Sequence, residues 1–139
     1  LHPVVISAAT FEQKVEGWSG APQTIYTDHF LETQAIDGPI GYKLETPPLH
    51  PVIFATTLAG FGAAQAGLMA AFPRTHVLLA LLRDGFHPDS PGGRVTLRSD
   101  GSPQLDYPLN DFVMDGARRA LSPLARPSAR PAPRRSPRR

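Results

Sequence analysis

The sequence predicts an α+β domain: an antiparallel sheet with helices packed on one side, followed by a disordered Arg/Pro-rich C-terminal tail. Three observations carry that expectation. Ile40–Glu45 and Arg94–Arg98 alternate apolar with polar residues, the two-residue period of a half-buried strand. Asp100-Gly101 then separates Arg94–Arg98 from Leu105 and Tyr107, which is the residue chemistry of a hairpin turn. Two other stretches have helical spacing. Phe61, Ala64, Leu68, Met69 and Phe72 share one face, and Phe112, Val113, Ala117, Ala120 and Leu121 make a second stripe.

Each element has a local reason. His2–Ala8 is apolar and β-branched after the His2-Pro3 break, so a strand is expected there. Gly17, Gly20 and Pro22 mark a loop, and Gln23–Phe30 alternates enough for a short strand. A turn at Asp37-Gly38-Pro39 leads into the strand Ile40–Glu45, which Pro47-Pro48 stops. Gly60–Phe72 is expected to be helical. Val77–Leu82 is a continuous apolar run of strand length, as in a strand covered on both faces. Gly93–Tyr107 reads as an antiparallel hairpin, and Asn110 or Asp111 can cap the final helix. On this reading the domain spans residues 1–121 and the tail residues 122–139.

Composition sets outer limits. A chain of 139 residues with 41% apolar content forms at most one ordinary domain. Sixteen prolines and twelve glycines imply a loop-rich layout. The absence of cysteine excludes disulfides, thiolate metal sites and a cysteine nucleophile. Six of the fourteen basic residues lie in Ser122–Arg139, leaving eight basic against twelve acidic groups before it, a net charge of −4. The body is thus mildly acidic, and no specific nucleic-acid partner is expected. An Arg/Pro block of this kind buries too little apolar surface to offset the entropy of ordering. It can attract anions through its arginines, so a non-catalytic interaction module with an anion-binding basic tail is an alternative reading. Val52–Phe72 runs for 21 residues without a charge. Its threonines, glutamine and glycines make it a poor membrane span, and none is expected. No signal-peptide pattern opens the chain, and a cytoplasmic location is the expectation.

Several motifs invite chemistry. A dinucleotide-binding βαβ unit at residues 52–84 is one alternative. In it Val52–Thr57 is the first strand, Gly60-Phe61-Gly62 the phosphate turn, Ala63–Phe72 the crossover helix and Val77–Leu82 the second strand. Asp84 then stands at the distance of a ribose-binding acid. Against it, Gln65 occupies the third glycine position, and four residues separate the apolar run from the first glycine. The His/Asp neighbours Asp28-His29 and His87-Pro88-Asp89 lack metal-ligand spacing, and no metal site is expected. Ser7 and Ser90 lack the context of a nucleophile elbow. Arg83-Asp84 fits a solvated strand end, and Lys43 and Glu45 share one strand face where they can pair with each other.

Five blocks in order carry a family resemblance. They are Leu1-His2-Pro3; Gly20-Ala21-Pro22-Gln23 with Tyr26-Thr27-Asp28; Gly41-Tyr42-Lys43-Leu44-Glu45 with Pro48-Leu49-His50-Pro51; Pro88–Leu97; and Pro103–Leu109 with Asp115. Together they resemble the substrate-side portion of glucose-methanol-choline (GMC) oxidoreductases, which are FAD-dependent enzymes acting on alcohols, over about residues 1–121. The resemblance implies a partial substrate-binding domain whose antiparallel sheet roofs the substrate cavity. It also implies hydride transfer from a CH–OH donor, a small-molecule alcohol, to FAD. The family's G-x-G-x-x-G fingerprint and its histidine-bearing H-x-x-G-T block do not occur here. No catalytic residue is therefore assigned. The chain alone is expected to bind no cofactor and to be inactive without a flavin-binding half. The resemblance carries over only Tyr42, Leu44 and His87 as substrate-pocket candidates and His2 as a flavin-facing residue.

Overall fold

The computed structural model describes residues 2–20, 23–32 and 35–129. Its elements are β1 (Val4–Thr10), β2 (Tyr26–Thr27), β3 (Tyr42–Glu45), α1 (Pro51–Thr57), α2 (Ala63–Ala70), a 3₁₀ turn (Phe72–Arg74), β4 (Thr75–Leu82), β5 (Arg94–Leu97), β6 (Pro103–Asp106) and α3 (Asp111–Ala129). Four strands form one antiparallel sheet in the order β1-β4-β3-β2, and β5 and β6 pair only with each other. The mixed α+β class and the antiparallel sheet are as the sequence predicts.

β4 is central because it is apolar on both faces. Ala80 and Leu82 point to one side with Leu78, and Val77 and Leu79 to the other. α3 covers the first side. Its Val113, Ala120 and Leu124 are almost fully buried against Ile40, Tyr42, Ala80 and Leu82. Burial of each large apolar side chain contributes about 1.5–3 kcal/mol. α1, α2 and the 3₁₀ turn cover one end of the second side, where Leu49, Phe54, Met69 and Phe72 pack on Val77 and Leu79. The helices therefore divide between the two faces rather than sharing one. A strand apolar on both faces needs cover on both.

Three expectations are corrected here. Val52–Thr57, a strand in the βαβ alternative, is helix α1. Pro51 occupies its first turn, where a missing N–H costs nothing, and His50 before it is extended (φ −88°, ψ 128°). Both neighbours of β4 run antiparallel to it, so residues 52–84 form no βαβ unit. The helix expected over Gly60–Phe72 shrinks to α2 plus the 3₁₀ turn. Phe61, placed on its apolar stripe, is 89% exposed instead. Finally, the last helix does not end at Leu121. α3 continues to Ala129 and buries Leu124 completely. Pro123 removes the amide that would bond the Arg119 carbonyl four residues back. The Tyr42 hydroxyl donates to that carbonyl at 3.4 Å, so the proline sits inside the helix with its orphaned acceptor met. The remaining tail, residues 130–139, lies outside the described residues.

Other expectations match closely. Asn110 caps α3, its Oδ1 accepting the Val113 N–H at 2.9 Å. The hairpin turns where Asp100 Oδ1 accepts the Ser102 N–H (2.9 Å) and hydroxyl (2.7 Å), bonds that hold the Asp100 carboxyl below its usual range. Lys43 and Glu45 form an ion pair of 2.7 Å, and Lys43 Nζ lies 4.1 Å from the centre of the Tyr26 ring. The hydrogen bond to Glu45 raises the pKa of Lys43.

Candidate functional site

Among the described residues, the sheet face opposite α3 carries an apolar concavity. A groove of about 500 Å³ runs between β1, β4 and α1. Ile6 and Ala8 of β1 and Val77 and Leu79 of β4 form its floor, and Ile53 and Phe54 of α1 form its wall. A second cavity of about 460 Å³ adjoins it, formed by Trp18, Pro51 and Phe72. Pro48, Leu49 and His50 line both. Trp18 stacks on Phe72 (5.2 Å between centroids), which in turn meets Phe54 at 5.5 Å. This aromatic row stiffens the wall.

Local sequence explains the groove. Pro47-Pro48 ends β3 and turns the chain under the sheet, and the Leu49 N–H bonds the Gly17 carbonyl at 2.8 Å. His50 then serves as the extended N-cap of α1 without a side-chain capping bond. Gln65 Nε2 donates to the Ala55 carbonyl at 2.9 Å and ties α2 to α1. Among the groove's lining residues only His50 and Thr57 have polar side chains, and the Thr57 hydroxyl donates to the Phe54 carbonyl at 2.8 Å. Such a surface accepts an apolar body and addresses one polar group.

The residues selected from the sequence fall elsewhere. Tyr42 and Leu44 project from β3 toward α3. Tyr42 is buried in that core, where its ring stacks on Phe30 at 5.0 Å. Desolvation holds the Tyr42 hydroxyl above the ordinary phenol range, and Arg119 opposes this. His2 is exposed just before β1, at the sheet end where β4 leads toward His87. His87 stacks on Phe112 at 4.1 Å, and its Nδ1 accepts the Asp89 N–H at 3.1 Å. None of the four lines the groove or the adjoining cavity. His50, by contrast, stands inside the Pro48–Pro51 block, but its position in the groove depends on α1, which the sequence pattern hid.

A polar cluster sits at the other end of β4. Asp84 is 4% exposed, and its Oδ2 accepts a short hydrogen bond from the Tyr107 hydroxyl. Its Oδ1 is buried without a hydrogen-bond partner among the described residues. Burial, reinforced by that bond, holds Tyr107 far above the ordinary phenol range. Gly93 permits the approach, because a Cβ there would overlap the Tyr107 ring and the Asp106 carbonyl. Asn110 Nδ2 donates to the Asp89 carbonyl (3.0 Å) and to Ser90 Oγ (3.2 Å), pinning the loop to α3. The cluster therefore fastens the β5–β6 hairpin to the body. Tyr107→Phe leaves both Asp84 oxygens unpartnered and is expected to cost about 1–3 kcal/mol in urea unfolding. An unchanged unfolding midpoint would contradict this role.

No group of three or more histidine, cysteine or acidic side chains that could hold a metal ion occurs among the described residues. No described helix is long and apolar enough to cross a membrane; Val52–Phe72 is broken into α1 and α2. The Gly60–Gly62 turn does not fit a flavin nucleotide's phosphates. Gly60 (φ +91°) and Gly62 (φ +65°) do precede a helix, but α1 rather than a strand leads into them, so no phosphate-binding turn is built. No protein-family model matches the chain, and no curated protein matches it.

Proposed function

We propose that this chain is the substrate-side portion of a flavin-dependent alcohol oxidoreductase of the GMC type, holding the alcohol in the groove opposite α3. The observation that carries the reading is the place of the two central resemblance blocks. Tyr42–Glu45 of the first forms β3, and Pro48, Leu49 and His50 of the second form the shared wall of the groove and its neighbour. Supporting the reading, the sheet face opposite α3 carries the groove, as a sheet roofing a substrate cavity would, while Tyr42, Leu44 and His87 lie outside that groove. A flavin accepts hydride in such enzymes. What this chain supplies is binding: apolar walls for the carbon skeleton, and the His50 imidazole as a hydrogen-bond partner for the hydroxyl.

Trp18, the single tryptophan, reports on the site directly because it lines the adjoining cavity. Benzyl alcohol is expected to change its emission saturably, and toluene to bind roughly ten-fold more weakly, the ~1.4 kcal/mol of one hydrogen bond. His50→Ala is expected to erase that difference. Equal binding of alcohol and hydrocarbon, or binding of neither, would sink the reading.

A further inference from the structure

β1 is an edge strand with an unusual lack of protection. Among the described residues no strand pairs with its outer side. Its seven residues, VVISAAT, contain no charge and no proline, and Val4 and Ile6 are 45% and 58% exposed. Natural edges of this length are ordinarily blunted by lysine, proline or a bulge, because the free amides and carbonyls template another strand. The hydrogen-bond parity is set by the ends of the β1–β4 ladder. Leu82 N–H donates to the Pro3 carbonyl at 3.0 Å, and Phe11 N–H to the Arg74 carbonyl at 2.9 Å. The odd-numbered residues thus bond β4, and Val4, Ile6, Ala8 and Thr10 turn their N–H and C=O groups outward.

We infer that β1 is an association surface for a second copy of this chain, the two strands pairing antiparallel about a two-fold axis at Ser7. This register engages the whole strand and leaves Ser7 opposite its own counterpart as a non-hydrogen-bonded pair. It also sets a large side chain beside a small one at two steps, Ile6 facing Ala8 and Val5 facing Ala9, and pairs Val4 with the similarly sized Thr10. His2 of one copy comes level with Glu12 of the other, an imidazole N–H donor beside a carboxylate acceptor rather than two like charges. With no charge inside the strand, nothing repels self-pairing. About eight inter-chain backbone bonds would join two four-stranded sheets into one of eight strands. Ile6 and Ala8 also line the groove with their side chains, whereas the pairing uses their outward backbone groups.

The chain has no native cysteine, so a disulfide formed by a single-cysteine variant must link two molecules. At a non-hydrogen-bonded antiparallel pair the Cα atoms lie about 4.5 Å apart, within disulfide reach. Full-length Ser7→Cys, under mild oxidation at micromolar concentration, is expected to form covalent dimer at least ten-fold faster than Ala9→Cys. Ala8→Pro removes an outward N–H that β4 does not use. It is expected to shift the wild-type dimer to monomer in sedimentation while leaving the circular-dichroism spectrum unchanged. A wild-type chain that sediments as monomer at ~100 μM would overturn the inference. So would cross-linking of the Ala9→Cys variant at a rate equal to or above that of Ser7→Cys. The cysteine pair decides the matter even if the proline variant does not fold.

Discussion

Gly41→Ala is expected to destabilise the domain by about 3 kcal/mol, the upper end of the usual cost of forcing a methyl into a packed site. Gly41 is buried, and a Cβ there would overlap the Leu31 carbonyl oxygen and approach the Phe30 carbonyl oxygen to 3.1 Å. Both obstacles are backbone, so no rotamer change relieves them. Both neighbours of the site are also fixed: the Tyr42 N–H bonds the Phe30 carbonyl at 3.0 Å, and the Arg83 N–H bonds the Gly41 carbonyl at 2.8 Å. The chain can accept the methyl only by pulling β3 away from β4 or from the Phe30–Leu31 turn. Urea unfolding monitored by circular dichroism measures the loss. Gly67→Ala provides the contrast, since a Cβ there meets nothing within 4 Å and the residue lies inside α2. That change is expected to gain about 0.5–1 kcal/mol. Similar stabilities for the two variants would show that the close approach at Gly41 does not hold in solution.

Leu124→Ala is expected to cost about 2–5 kcal/mol, the usual penalty for a buried leucine that leaves a cavity. Leu124 is fully buried against the α3 side of the sheet, whereas Leu121, one turn earlier, is 48% exposed. Leu121→Ala should accordingly change stability by well under about 1 kcal/mol. The pair tests where the folded body ends. If residues from Ser122 onward made no contact with the core, the two substitutions would be equally mild.

The strands were legible because their signals are local. Alternation at Ile40–Glu45, the apolar run at Val77–Leu82 and the Asp100-Gly101 turn each act within a few residues. Asn110 as a cap was visible for the same reason. What escaped was tertiary. Pro51 opens α1, but Val52–Thr57 is β-branched and apolar enough to read as a strand, and only packing of Phe54 under β4 decides it. Pro123 and the arginines after it resemble a disordered tail. The helix persists there because Leu124 finds the core and Tyr42, distant in sequence, meets the Arg119 carbonyl. The candidate site suffered most. Tyr42 and Leu44 come from the resemblance rather than from a pattern that fixes their face; a two-residue period does not say which face is open, and theirs packs against α3. His50 became visible only once α1 had formed and set it between two cavities.

In the function proposed above, the face of the sheet opposite α3 recognises an alcohol. The most direct test is a titration of the isotopically labelled full chain with benzyl alcohol, followed by amide and methyl chemical shifts. Saturable shifts are expected at Ile6, Ile53, Leu58, Val77 and Leu79 and at His50, with Leu82, Val113 and Leu124 unmoved. Shifts centred instead on the α3 side or on the Asp84–Ser90 loop, or no saturable shift at any residue, would contradict it.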